Sequence, residues 1–235
     1  MVTDGQEDPP YDQVGGMSFS LDSKRKGYVA WKGNKRFIVV DGKELDQYDA
    51  AYLPVFSPDS KRLAYVAKRT EKFFLIDDGK EGKPYDEIQL FTLSGNAGGL
   101  LSRSRIRKKF IEGATGSAGT ALIYWGGPIF SPDSSRLAFV AKSGDKWHLV
   151  VDGKEGPYDE IFAVSFSPDC KRVAYAALLD SYSGKCCIVL DDIEGPQFEE
   201  LYRSERNYVM FDSSESLHYI ARKGKALYLI EETIK

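Results

Sequence analysis

The stretch FSPDSKRLAYVAKRTEKFFLIDDGKEGKPYDEI, from Phe56 to Ile88, decides the fold. Its sequence Pro58-Asp59-Ser60 favours a tight turn, because proline fixes φ and short polar side chains bond the nearby backbone. Two runs rich in aromatic and branched residues follow, RLAYVAK and KFFLID, and the Asp78-Gly79 pair after them favours a hairpin. The stretch therefore predicts four short antiparallel strands, with YDEI as the short outer strand.

The same pattern recurs along the chain, as it does in repeat proteins. Four copies have their first Phe at Phe19, Phe56, Phe130 and Phe166, the last three of them sharp, and the interval from Phe56 to Phe130 is twice the interval before it. The doubled interval predicts a degenerate unit, which has LLSRSRI where RLAYVAK is expected. With a last, blurred copy from Arg206, we predict six units. They span about residues 11–47, 48–84, 85–121, 122–157, 158–195 and 196–235, after a frayed tail at 1–10.

The RLAYVAK strands are apolar on both faces, so both faces must be covered. Radial stacking of similar sheets covers every copy at once, and small residues such as Ala64 and Ala138 allow neighbouring sheets to approach closely. Units of four strands that repeat every ~40 residues are typical of a β-propeller, which usually has four to eight blades. We therefore predict an all-β fold, a six-bladed β-propeller of four-stranded antiparallel blades in which the third blade is degenerate and helix is nearly absent.

The sequence YDQV, from Tyr11 to Val14, matches YDEI but precedes the first complete unit. The last unit ends near LYLIEE with no such segment after it. Because an open ring would expose a sheet edge, we expect the strand at 11–14 to close the last blade, with Leu227 to Glu231 as the third strand of that blade.

The FSPDSxRLAYVA core, followed by an apolar strand and a DG turn, resembles the WD-like repeats of the TolB-type β-propeller family over residues 11–232. The resemblance implies a six-bladed platform without enzymatic activity. TolB is a periplasmic partner of envelope proteins, but it also has an N-terminal α/β domain that this sequence lacks. Similar propellers gate prolyl-oligopeptidase-like serine peptidases, whose catalytic domain is also missing from this sequence.

Composition narrows the function classes. The 235 residues carry a formal net charge of -3, with 29% charged and 42% hydrophobic residues, as in an ordinary soluble globular protein. This excludes the strongly basic surface of a general nucleic-acid binder. No apolar run reaches the ~20 residues of a membrane span, and the N-terminal residues lack a signal-peptide layout. We expect a monomer without membrane insertion, cytoplasmic by default, or in the cell envelope if the chain is a fragment of a TolB-like protein.

No motif predicts catalysis, a cofactor or a metal. TGSAG at 115–119 lacks the first glycine of a serine-hydrolase elbow, and the DGK sequences lie at hairpins rather than before helices. His148 and His218 lie in strands of distant units without partners at ligand spacing. Three cysteines, in an odd number and without CxxC spacing, are expected to be free thiols in strands: Cys170, Cys186 and Cys187.

Function is sought where the copies differ, because a residue that every unit contains serves the blade. Propellers bind partners at loops around the channel mouth, where aromatic residues are favoured interface anchors. The candidate partner-binding residues are Trp31, Lys32, Asn34, Tyr52, Trp125, Asp180 and Tyr182. The basic run SRSRIRKK at 102–109 is either a patch for an acidic partner or a solvated segment.

We expect a non-enzymatic scaffold for a protein partner. The alternatives are a propeller that binds a small ligand such as a sugar or peptide, an enzyme with a channel-mouth site, or a remnant of a larger protein such as a peptidase gating domain.

Overall fold

A computed structural model describes residues 2–3, 6–7, 9–90, 92–94, 122–124, 127–203 and 208–234. These residues form β-strands, turns and links, with no helix among them, and so none of their segments is a helix that could cross a membrane. The strands make five antiparallel sheets, numbered 1 to 5 in chain order, and two separate strand pairs. The predicted all-β fold is confirmed.

Each sheet has an inner strand, and the second and third strands follow it outward; sheets 1 to 4 also have a fourth strand among the described residues. Sheet 1 contains Gln13–Phe19, Lys26–Lys32, Lys35–Val40 and Lys43–Tyr48. Sheet 2 contains Ala50–Ala51 with Val55–Phe56 as inner strand, then Leu63–Arg69, Lys72–Asp77 and Lys80–Glu81. Sheet 3 contains Glu87–Ile88 with Ile129–Phe130, then Leu137–Ser143, Lys146–Val151 and Lys154–Tyr158. Sheet 4 contains Glu160–Phe166, Val173–Asp180, Lys185–Leu190 and Ile193–Glu194. Sheet 5 contains Glu200–Tyr202 with Val209–Ser213, then Ser216–Lys223 and Ala226–Thr233.

The FSPDS sequence forms the predicted turn between the inner and second strands. In sheet 2 the Ser57 hydroxyl donates to Asp59 Oδ1 at 2.6 Å and accepts the backbone N–H of Arg62 at 2.9 Å. Ser60 takes a φ of 65° in the same turn. The equivalent serine and aspartate bond in the same way in sheets 1, 3 and 4, so the turn is a local property of the repeat.

The two faces of each second strand pack in opposite directions. In sheet 2, Tyr65 lies in a hydrophobic cluster with sheet 1, whereas Val66 lies in a cluster with sheet 3. Similar clusters join sheet 3 to sheet 4 and sheet 4 to sheet 5. Ala64 and Ala67 are fully buried between the sheets, as the prediction of close approach requires. The sheets are therefore stacked as the blades of a β-propeller.

An arginine after each of the first three turns joins its sheet to the next one. The Arg62 guanidinium lies 5.0 Å from the ring centre of Phe130 and donates to the carbonyl of Ser134 at 2.7 Å. Arg25 and Arg136 make the same two kinds of contact with the sheets that follow them. The sequence analysis did not predict this contact between sheets, although an arginine recurs at this position, in the dipeptides KR and SR, and could have indicated it.

The prediction that YDEI is one outer strand is wrong. Tyr85 does bridge the third strand of sheet 2 at Phe73, but Glu87–Ile88 pairs with Lys142 and Ala141 in sheet 3. The motif is thus the crossover from one sheet to the next. It splits because the aspartate between its two halves bonds to the following sheet, as described below.

The inner strands are interrupted at one equivalent place. Strand pairing is interrupted at residues 16–17 in sheet 1, at residues 52–54 in sheet 2 and at Ala163 in sheet 4, each opposite the same part of the second strand. In sheet 3, Ile88 pairs with Ala141 and Ile129 pairs with Ala138, so residues 89–128 enter at this same interruption. The sixth blade is not confirmed, because both flanks of the predicted degenerate unit belong to one strand of sheet 3.

The predicted closure by residues 11–14 is also wrong. Gln13–Phe19 is the inner strand of sheet 1 and pairs with Lys26–Lys32. Tyr11 packs edge-on against Tyr28 and Phe37 of that sheet, with ring centres 6.2 and 5.5 Å apart. These aromatic contacts hold the segment on its own sheet. Within the predicted tail, Val2–Thr3 pairs with Gln6–Glu7.

Candidate functional site

The turns between the second and third strands all lie at the same end of the sheets. We call this end the hairpin rim, and it consists of residues 33–34, 70–71, 144–145, 181–184 and 224–225. Four of the predicted partner-binding residues lie at or beside this rim, namely Lys32, Asn34, Asp180 and Tyr182.

Aspartates of the crossovers fix the first four turns of the rim. Asp12, Asp49, Asp86 and Asp159 each accept a backbone N–H from the turn of the following sheet at 2.7–2.8 Å. Three of them also pair with the lysine that begins the third strand of the preceding sheet: Lys35 with Asp49, Lys72 with Asp86 and Lys146 with Asp159. Each aspartate therefore connects a crossover to a turn.

These bonds favour the charged form of Asp49, Asp86 and Asp159. Hydrogen bonds from lysine and from the turn lower the pKa of Asp49 and Asp86, and those from Lys146 and Ser181 lower the pKa of Asp159 to about 2. The carboxylates at the rim thus have a structural role that accounts for their position and their charge.

The turn of sheet 4 differs from the others. Asp180 accepts the backbone N–H groups of Tyr182 and Ser183, both at 3.0 Å, and its backbone carbonyl accepts the N–H of Gly184 at 2.9 Å. Hydrogen bonds, first from the Ser183 side chain, lower the pKa of Asp180. The side chain of Tyr182 is 99% exposed. A turn fixed by its own hydrogen bonds therefore presents an aromatic side chain to solvent.

Trp31 contributes to packing more than to the rim surface. It is half-buried in the cluster between sheets 1 and 2, and the Arg36 guanidinium lies 5.5 Å from its ring centre. A Cβ atom at Gly15 would lie 3.3 Å from the indole, so the inner strand passes close to it. Lys32 and Asn34 are exposed beside it.

Tyr52 lies in the interruption of the inner strand of sheet 2. Its ring stacks on Phe73 with centres 6.2 Å apart, and its N–H donates to the carbonyl of Val66 at 2.9 Å. Burial raises the pKa of its hydroxyl. The structure therefore places Tyr52 in packing between strands, away from the exposed turns. Trp125 and the basic run at 102–109 lie outside the described residues.

The two histidines lie in strands, as predicted, and in different sheets. His148 is half-buried in sheet 3, whereas His218 in sheet 5 bonds through Nδ1 to Asp212 at 2.7 Å. In the described part of the chain, no three His, Cys, Asp or Glu side chains are grouped as metal ligands.

A shallow cavity of about 280 Å³ lies between sheets 2 and 3 on their outer side. Leu75, Tyr85, Phe139 and Val150 form its apolar part, and Lys80 and Lys83 also line it. This volume is slightly below the ~300 Å³ at which small-molecule sites usually begin.

The solved structures that are similar to this chain include the following three. TolB from Acinetobacter baumannii has 14% identity over 94% of this chain and 52% of its own, with a TM-score of 0.42. The β-propeller domain of the Trilobed protease from Pyrococcus furiosus has 12% identity over 94% of this chain and 69% of its own, with a TM-score of 0.48. The Cps50 (Swd1) β-propeller domain from Myceliophteria thermophila has 12% identity over 93% of this chain and 70% of its own, with a TM-score of 0.35.

The chain spans about half the length of the TolB structure. No family model matches the sequence, and no curated protein matches it either.

Proposed function

We propose that this protein is a non-enzymatic scaffold that binds a protein partner over the hairpin rim, with Tyr182 as the anchor. The observation that carries the proposal is the fully exposed Tyr182 on a turn held by Asp180. The rim turns of sheets 1, 2, 3 and 5 contain no aromatic residue, because their two-residue sequences are Gly-Asn, Thr-Glu, Gly-Asp and Gly-Lys.

The energetics of association favour a residue of this kind. Tyrosine offers a large, rigid and amphipathic contact area with only two side-chain torsions to fix. Because the hydrogen bonds of Asp180 already fix the turn, binding costs less loop entropy. The exposed polar residues Lys32 and Asn34 on sheet 1 supply a polar periphery at the same end of the sheets.

The ionisation of the aspartates supports a non-enzymatic role. General acids and bases work best when their pKa lies near the operating pH. At the rim the pKa values of Asp49, Asp86 and Asp159 are moved down, away from neutrality, by bonds that hold the crossovers. These groups stay charged and bonded at pH 7.

Crosslinking followed by affinity measurement tests the proposal. A photoreactive amino acid at position 182 identifies the partner, and Tyr182→Ala is then compared with wild type by calorimetry. We expect at least about a tenfold rise in Kd, as is usual for an aromatic anchor, with the free energy of unfolding changed by less than about 0.5 kcal/mol.

The matched control is Ile193→Ala, which removes an apolar side chain that is 74% exposed on the fourth strand of the same sheet. Its Kd should equal that of wild type. Equal Kd values for Tyr182→Ala and wild type would contradict the proposal, as would a ligand that occupies the cavity between sheets 2 and 3 and leaves the rim free.

A further inference from the structure

The lysine that begins the third strand has a different environment in sheet 4 than in sheets 1 to 3. In those three sheets it pairs with a crossover aspartate, as described above. Its equivalent in sheet 4 is Lys185, which lies opposite Asp180 at the base of the turn that presents Tyr182. Lys185 is exposed, and among the described residues its ammonium group has no ion-pair partner.

The carboxylates closest in the chain pattern to Lys185 are bound elsewhere. Glu199 stands at the position of the crossover aspartates, but its Oε2 accepts a hydrogen bond from Arg222 Nη1 of sheet 5 at 2.9 Å. The same guanidinium donates through Nε to Glu200 at 3.1 Å. Asp180 uses both of its oxygens to accept N–H groups of its own turn. The charge of Lys185 is therefore available to a binding partner.

Two more lysines lie at the neighbouring turn of the hairpin rim. Sheets 4 and 5 share one hydrophobic cluster, so their rim turns lie side by side. Lys223 and Lys225 at the turn of sheet 5 are exposed, and neither has an ion pair within the described part of the chain. The rim turns themselves contain two carboxylates, the paired Glu71 in sheet 2 and Asp145 in sheet 3. The surroundings of Tyr182 are therefore basic, on a chain whose formal net charge is -3.

We propose that the partner segment that contacts Tyr182 is acidic and places its carboxylates beside Lys185, Lys223 and Lys225. The proposal rests on the proposed function, because it names the chemistry of the segment that the rim binds. Complementary charge raises the rate of association and disfavours partners of like charge. A protein segment fits better than a single-stranded nucleic acid, because nucleic acids stack successive bases on several aromatic side chains, whereas the rim turns present one.

Titration of the isotope-labelled full chain with two synthetic peptides, followed by NMR, tests the proposal. The probes are Glu-Leu-Glu-Glu-Leu-Glu and its neutral counterpart Gln-Leu-Gln-Gln-Leu-Gln, both with blocked ends. We expect the acidic peptide to shift the amide resonances of residues 181–185 and 223–225, and the neutral peptide to bind at least about fivefold more weakly. Raising the salt from about 50 mM to about 300 mM should weaken the acidic peptide alone, because exposed charges are screened.

Charge reversal tests the role of Lys185. Lys185→Glu replaces an attraction by a repulsion, so the Kd for the acidic peptide should rise about three- to tenfold. Lys43→Glu is the matched control, since it makes the same change at an exposed lysine in the turn between the third and fourth strands of sheet 1, at the opposite end of the sheets. Its Kd should equal that of wild type. Tyr182→Ala should weaken both peptides, and circular dichroism checks that each variant folds.

Equal Kd values for the acidic and neutral peptides would overturn the proposal. So would the absence of resonance shifts at the rim, an equal effect of Lys43→Glu, or tighter binding of a single-stranded oligothymidylate. The partner captured by crosslinking at position 182 separates the two proposals. If neither salt nor Lys185→Glu changes its Kd, the acidic segment is wrong and the scaffold stands. If Tyr182→Ala leaves its Kd unchanged, the scaffold proposal itself fails.

Discussion

Cys170 shows how much a single residue type can change in a repeat. It stands where sheets 2 and 3 have Ser60 and Ser134, and it shares their left-handed backbone with a φ of 63°. All three side chains accept the N–H of the aspartate in the preceding turn, at 3.2 and 2.9 Å for the serines but 3.4 Å for the cysteine sulfur. Sulfur is the weaker acceptor, so this position is built for a hydroxyl.

Replacing cysteine by serine should therefore change the free energy of unfolding differently at positions 170 and 187. Cys170→Ser supplies the hydroxyl that this turn uses elsewhere, so its free energy of unfolding should stay within about 1 kcal/mol of wild type. Cys187 is fully buried in the apolar cluster of sheets 3 and 4, where burial raises the pKa of its thiol to about 12. Cys187→Ser should cost about 1–3 kcal/mol because it buries a hydroxyl there.

Urea unfolding measures both changes. Equal losses for the two variants would contradict the assignment of Cys170 to the serine position. The sequence predicted free thiols in strands, and the structure places Cys186 and Cys187 in a strand but Cys170 in a turn, with all three buried. The sequence could not show that Cys170 and Cys187 have different environments. The hydrogen bond between Cys170 and Asp133 joins two repeats, and the spacing of residues within one repeat does not predict it.

At the scale of elements, the crossovers carry the connection between sheets. Asp159 joins the start of sheet 4 to the turn at Ser181 and to Lys146 of sheet 3. The sequence predicted the strands of RLAYVAK type and their turns, because burial and turn chemistry are local. It assigned Glu87–Ile88 to the wrong sheet, because two residues carry no periodicity that could tell backward from forward pairing.

The crossover aspartates predict sensitivity to acid. The folded-state pKa values of Asp49, Asp86 and Asp159 lie below the unfolded value of about 3.9, so these three residues bind fewer protons in the folded state. Their contribution to stability is thus complete above about pH 5 and is lost as the pH falls through 4 toward 2. The free energy of unfolding, measured by urea titration at each pH, should fall over this range.

Asp159→Asn is the variant that tests this assignment. The amide keeps an acceptor for Ser181 but loses the charge that pairs with Lys146. The variant should be less stable than wild type at pH 7 and should depend less steeply on pH between 4 and 2. An unchanged slope would show that Asp159 does not contribute to the acid response.

At the scale of the whole molecule, the described residues form five sheets that stack by one repeated set of contacts. The order of the sheets followed from the repeat in the sequence. The count of six is not confirmed, because the segment between Ile88 and Ile129 is close to one repeat in length and its alignment rested on a few apolar positions. Length cannot separate an extra blade from an insertion, and both flanks of the segment pair with Leu137–Ser143.

Sheet 1, the first sheet of the described stack, differs from the sheets after it in the exposure of one aromatic residue. Phe130 is 8% exposed beneath Arg62 of the preceding sheet, whereas the equivalent Phe19 of sheet 1 is 58% exposed. The aromatic ring is therefore shielded where a preceding sheet supplies the arginine. The exposure of Phe19 could not be predicted from the sequence, because it depends on which sheets become neighbours.

The central claim is that Glu87–Ile88 and Ile129–Phe130, on either side of residues 89–128, belong to the inner strand of sheet 3. Replacing residues 89–128 by the tripeptide Phe-Gly-Val imitates residues 162–164 and 15–17, with glycine where Ala163 and Gly16 have positive φ. Thermal unfolding followed by circular dichroism should remain a single cooperative transition, with Tm within a few degrees of wild type. Loss of the cooperative transition, or a Tm lowered by about 10 °C or more, would contradict the claim.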